Sequence, residues 1–169
     1  MRCILLLSIF LFYGVFLFSQ NTNQYQIKPC DGFGPLVIQK STVVSTSLIE
    51  GVKFDEESSS SLACDEHSTK YHSRKILKNE EYGLELHFTS ETLVLDSIPE
   101  LVLSRIIISK PICRFSNDIT IGISTKEEVL KAFGNKGVVD DYSINYPEKG
   151  LLFIFDAKQI LTQIRLYGC

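Results

Sequence analysis

The sequence predicts an α+β fold of two tandem repeats, each a short helical segment packed on an antiparallel β-meander. Three observations carry that expectation. Residues 28–51 align with residues 110–134 in one register, the second of these stretches contains a capped amphipathic helix, and alternating apolar segments separated by turn residues follow it.

The register rests on matching residue types. Cys30 and Cys113, Ile38 and Ile121, Ser41-Thr42 and Ser124-Thr125, and Gly51 and Gly134 are each 83 positions apart. Further along, residues 82–88 resemble residues 149–155 at a shift of 67, and residues 105–108 resemble residues 163–166 at a shift of 58. The chain therefore divides into residues 20–109 and 110–169, with longer connections in the first part.

The second repeat is the plainer. Residues 119–121 alternate as a short strand should. Ser124 with Glu127, or Thr125 with Glu128 one residue later, forms a capping box in which a hydroxyl accepts from a helix amide and a carboxylate reaches back to the cap. A helix over residues 125–133 turns Val129, Leu130 and Phe133 toward a core, and Gly134 suits a left-handed C-terminal position. Tyr142, Ile144 and Tyr146 then alternate with polar residues. Residues 147–150 turn the chain, residues 151–155 read as a central strand, and residues 160–167 return after a turn at 156–159. The meander's apolar face needs cover, which the helix supplies.

In the first repeat, residues 41–47 are β-branched or hydroxyl-bearing and favour extended structure, whereas the alignment asks for a helix. Both conformations stay open there. Residues 53–75 read as a long loop, mobile over the acidic, serine-rich residues 55–61. Residues 91–103 extend the hairpin of this repeat, with Pro99 marking a break.

Residues 4–18 are uncharged and apolar, follow Met1-Arg2, and give way to polar residues from Ser19. That is the pattern of a secretory signal peptide over residues 1–19, too short for a spanning helix and without a basic stop-transfer cluster. The expected mature protein is secreted or periplasmic, with no stable membrane anchor after cleavage. Loss of Arg2 takes the formal net charge from −3 to −4, against 20 acidic residues, so nucleic acid is not an expected partner. Four cysteines remain: Cys30, Cys64, Cys113 and Cys169. An even count in an exported chain favours disulfides. One bridge within each repeat, Cys30 with Cys64 and Cys113 with Cys169, is the expected pairing, and Cys30 with Cys113 is the alternative.

Residues 121–134, followed by Tyr146, residues 150–156 and a last strand, resemble the superfamily that unites the beta-lactamase inhibitory protein with the SmpA/OmlA outer-membrane assembly lipoproteins. The resemblance covers residues 119–167, and residues 36–108 through the internal alignment. It implies helices on one face of an antiparallel sheet, with the other face or the loops free to bind a protein. Cys3 precedes the apolar run and Cys30 lies well beyond it, so the lipid-attachment cysteine of the assembly lipoproteins has no counterpart.

Candidate chemistry is sparse. The histidines are His67, His72 and His87, and Asp65, His67 and His72 near Cys64 are the one set that could hold a divalent metal. The competing reading of that set is a solvated loop anchored by a disulfide at Cys64. His87 alternates with Leu86 and Phe88 and is expected on an exposed strand face. Asp140 and Asp141 are adjacent and point apart on an extended chain. No nucleophile elbow or phosphate-binding glycine loop occurs. No catalytic residue and no cofactor is expected. The sequence thus favours an exported, non-enzymatic protein-binding module of inhibitor, immunity or envelope-accessory type, acting through its sheet face or long loop. A metal-dependent protein using residues 64–72 and a structural envelope component are the alternatives.

Overall fold

The computed structural model describes residues 26–49, 51–64, 69–92, 100–112, 115 and 117–169, apart from the side chains of residues 62–64, 69–71 and 92. The expected signal peptide, Asp65, His67 and Cys113 lie outside them. A small sheet comes first, with β1 (Ile27–Lys28), β2 (Gly32–Phe33) and β3 (Leu36–Val37) in consecutive antiparallel order. A 3-10 helix spans Val43–Leu48. The strands β4 (Asp55–Cys64), β5 (Thr69–Asn79), β6 (Leu84–Thr92) and β7 (Val102–Ile108) then run as one meander. After the helix α1 (Lys126–Phe133), β8 (Val138–Asp140), β9 (Ser143–Tyr146), β10 (Leu151–Phe155) and β11 (Leu161–Tyr167) run as a second. The meanders meet through antiparallel pairing of β7 with β11, giving one eight-stranded sheet in the order β4-β5-β6-β7-β11-β10-β9-β8.

This corrects the expected fold class. Strand accounts for 48% of the described residues and helix for 14%, and both halves feed one continuous sheet rather than two helix-on-meander α+β repeats. The reason lies in the cover. Residues 43–48 make only a 3-10 turn with no buried residue, as their β-branched and hydroxyl side chains foreshadow. That half of the sheet is covered instead by Ile27, Phe33, Leu36, Ile38 and Ile49, from the small sheet and its flanks. The expected strand at residues 119–121 is a turn whose Ile119 and Ile121 are buried as cover for the other half. Among the described residues only α1 is a regular helix. Thr125 caps it, accepting from Glu128 N at 3.2 Å while its own amide donates to Glu128 Oε2 at 2.8 Å. Val129 is fully buried, and Phe133 packs on Phe115, Tyr146 and Phe153.

The expected long loop at residues 53–75 is also corrected. Its acidic and serine-rich part is the edge strand β4, paired along its whole length with β5 from Asp55 opposite Lys78 to Cys64 opposite Thr69. Residues 55–61 are all exposed, so neither face of this strand needs apolar side chains, and a charged edge resists further pairing.

The disulfide pairing is corrected as well. Cys30 is bridged to Cys169, with Cα atoms 5.2 Å apart and a separation of 139 positions in sequence. Both expected bridges, and the alternative of Cys30 with Cys113, require one of these two cysteines. The observed bond ties the β1–β2 turn to the residues after β11, and Cys30 N donates to Lys149 O, just before β10, at 2.9 Å.

What recurs along the chain is a set of backbone bonds. Ser41 Oγ accepts from Val37 N at 2.8 Å, and Ser124 Oγ accepts from Thr120 N at 3.0 Å. Gln39 N donates to Leu103 O and Leu103 N to Ser41 O; Gly122 N donates to Leu161 O and Leu161 N to Ser124 O. Each meander also carries a bulge. One falls at His87/Phe88, where Ser104 Oγ donates to His87 O at 3.1 Å, and the other at Ile154/Phe155, where Thr162 Oγ1 donates to Ile154 O at 3.1 Å. Gly83 and Gly150 turn the chain before β6 and β10 with φ of +60° and +57°, and their carbonyls accept from Ser109 N and Tyr167 N. At Gly150 a Cβ would lie 2.0 Å from Tyr167 O, so close approach as well as φ requires glycine.

Candidate functional site

Alternation in the strands gives the sheet one buried and one open face. On the buried face Leu77, Leu86, Ile106, Leu166, Leu151 and Tyr146 stand in one row across six strands, as the pairings place them. A second row runs through Leu84, Ile108, Ile164, Phe153 and Ile144. All belong to a single core under α1 and the N-terminal segment. Glu57, Ile76, His87, Arg105 and Tyr167 form a row on the opposite face. The next row there is Asp55, Lys78, Glu85, Ile107, Arg165, Leu152, Asn145 and Val138.

The open face is organised around His87. Its relative exposure is 7%, although it lies away from the core, because Ile76 and the long side chains of its neighbours close over it. Arg74 Nη2 lies 3.1 Å from His87 Nδ1, and His87 Nε2 lies 2.5 Å from Glu85 Oε1. A guanidinium can only donate, so Nδ1 accepts from Arg74, and Nε2 carries the proton that it donates to the carboxylate. The imidazole is thus held as a neutral bridge between a cation and an anion. Burial pushes its pKa below the ordinary histidine value, against the pull of Glu85 and with the aid of Arg74 and Arg105. Both ring nitrogens of His87 are therefore engaged within the protein.

Other polar groups of the face are tied down locally. Lys78 Nζ pairs with Glu57 Oε2 at 3.0 Å, lowering the carboxylate's pKa and raising the ammonium's. Arg165 Nε donates to Gln163 Oε1 at 2.7 Å, and the Tyr167 hydroxyl donates to Asn145 Oδ1. The two halves of the face differ in character. Glu85 and His87 on β6 have Leu152 and Ile154 at the corresponding places beside the bulge of β10. A charged half therefore adjoins an apolar one on a common backbone.

Of the metal candidates, His72 is on β5 within this face, opposite Ser61 and Glu91, and not on a loop. Asp65 and His67 lie outside the described residues. Among the described residues no three His, Cys, Asp or Glu side chains cluster closely enough to hold a metal ion. No described helix is long and apolar enough to cross a membrane. Asp140, the last residue of β8, and Asp141 after it are exposed, and their carbonyls accept from Lys126 Nζ at 2.6 and 3.0 Å.

The alternation of His87 with Leu86 and Phe88 puts it on the face away from the core, but the expected exposure is corrected, since it is only 7% exposed. Glu85 stands two residues away on the same strand, where alternation alone places it, whereas Arg74 reaches His87 only through the β5–β6 register. A hollow next to Arg74 is lined by polar groups such as Ser59, His72, Arg74 and Thr89, unlike the apolar lining of a small-molecule pocket. No protein-family model, no curated protein and no solved structure matches the chain.

Proposed function

We propose that the protein is an exported, non-enzymatic binding module that presents the open face of its eight-stranded sheet to another protein. The observation that carries this reading is the sidedness of the sheet. One face is sealed under α1 and the N-terminal segment, while the other displays a broad patchwork of charged, aromatic and aliphatic side chains with no cover from the described residues. A flat surface mixing arginine, tyrosine and aliphatic groups suits a protein partner better than a small ligand. Export is supported by the apolar run behind Arg2 and by the Cys30–Cys169 bridge, a bond that persists in oxidising compartments. The absence of catalysis is supported by the engagement of both His87 nitrogens. Inhibition, immunity and envelope assembly are all served by such a surface.

The test is site-specific photocrosslinking in the native host from Leu152, on the open face, and from Glu127, exposed on α1. The expected result is a discrete adduct from Leu152 whose protein, once identified and purified, forms a complex of fixed stoichiometry. Adducts from Glu127 alone, or none from either site, would overturn the reading.

A further inference from the structure

All the arginines among the described residues, Arg74, Arg105 and Arg165, stand on the open face. They lie on β5, β7 and β11, each one row further along the strands than the last, and so form a diagonal across the middle of the sheet. None is ion-paired with a carboxylate among the described residues. Arg74 is spent on the His87 imidazole and Arg165 on the Gln163 amide, and the Arg105 side chain makes no hydrogen bond among the described residues. The nearby acids already have partners, Glu57 in Lys78 and Glu85 in His87. Three guanidiniums, each able to grip a carboxylate with two parallel bonds, are thus aligned with no carboxylate paired to them among the described residues, in a chain of net charge −3.

We propose that this diagonal is a carboxylate-binding track that receives an acidic, extended segment of the partner protein. The proposal rests on the open face being the binding surface and adds the chemistry of what binds there. Strands are ~4.8 Å apart and rise ~3.3 Å per residue, which places Arg74 and Arg105 ~12 Å apart and Arg105 and Arg165 ~8 Å apart. An extended peptide covers those spans in about four and about two residues. Acidic residues at i, i+4 and i+6 then project from the same side of the peptide and meet the three arginines in turn. Ile107 and Leu152 flank the track and give apolar groups between the acids a place to rest. A nucleic acid or an anionic membrane is the wrong shape of anion, because the cationic zone is narrow and is bordered by Asp55 and Glu57 at one side and Asp140 at the other.

The experiment uses the full mature chain and two labelled nonapeptides of serine and threonine, one with glutamate and one with glutamine at i, i+4 and i+6. The glutamate peptide is expected to bind at least tenfold more tightly at low salt, with the advantage shrinking several-fold toward ~0.3 M salt. R105Q/R165Q should abolish the preference and R105K/R165K should retain part of it; an unchanged urea midpoint shows that each variant is folded. Equal binding of the two peptides overturns the track, as does persistence of the preference in R105Q/R165Q. So does competition by a 20-nucleotide single strand or by phosphatidylserine vesicles that matches the glutamate peptide. Crosslinking from Leu152 separates this failure from failure of the binding surface. A partner captured equally well by R105Q/R165Q overturns the track and leaves the surface standing, whereas loss of all capture at Leu152 removes the surface.

Discussion

Breaking the Cys30–Cys169 bridge is the perturbation whose size follows most directly from the fold. The bond closes a loop of 139 residues. In the chain-entropy description, forbidding the unfolded chain to separate over that length is worth about 5 kcal/mol at room temperature. The folded state should lose little when the sulfurs go, because Phe33 and Leu36 on either side of the neighbouring turn are each only 1% exposed and keep the N-terminal segment on the core. C30A/C169A should therefore retain its far-ultraviolet spectrum while its unfolding free energy from urea titration falls by about 4–5 kcal/mol. A loss below about 1 kcal/mol would mean that the unfolded chain is held compact by something other than this bond. A non-reducing peptide map that joined Cys30 to Cys64, or Cys113 to Cys169, would refute the topology itself.

Two further outcomes test the recurring bonds and the face. S41A and S124A each leave a backbone amide, that of Val37 or of Thr120, without its partner, and each should cost about 1–2 kcal/mol in urea unfolding. An effect confined to one of the pair would show that the two bonds are not equivalent. His87 should also make stability depend on pH, because its folded pKa is held below the unfolded value. Above about pH 6.5 both states are neutral and the full stability is present; as pH falls below that, the unfolded chain takes up a proton that the folded chain refuses, and stability declines. Replacing His87 with Gln should flatten the difference between pH 5 and 7 relative to the parent, and equal slopes would refute the lowered pKa of His87.

The sequence was most legible where the apolar period was strong. Leu151, Phe153 and Phe155 alternate with half-buried neighbours and lie in a strand, as expected, and Thr125 with Glu128 caps α1 one residue beyond the first of the two capping boxes. Ser124, the competing cap, is drawn instead to the amide of Thr120. It was least legible where burial is absent. Residues 55–61 have the composition of a loop because an edge strand exposed on both faces has no core to select its side chains. The cysteine pairing was hidden for another reason: Cys30 and Cys169 meet only because β11 crosses to β7, so no window along the chain contains both partners' surroundings. The arginine track was invisible for the same cause, since its three members are separated by whole strands and share no sequence pattern.

The β7–β11 seam has a consequence in the order of synthesis. β7 pairs on one side with β6, made just before it, but its other neighbour follows β8, β9 and β10 in the chain. As the polypeptide emerges, the first meander stands with β7 as an open edge, the apolar Ile106 and Ile108 beside unpaired backbone. Every other neighbour in the large sheet is also a neighbour in sequence, so this one junction sets the long-range step of folding. A chain that travels unfolded and folds after export would postpone that exposed edge until β11 is at hand to close it.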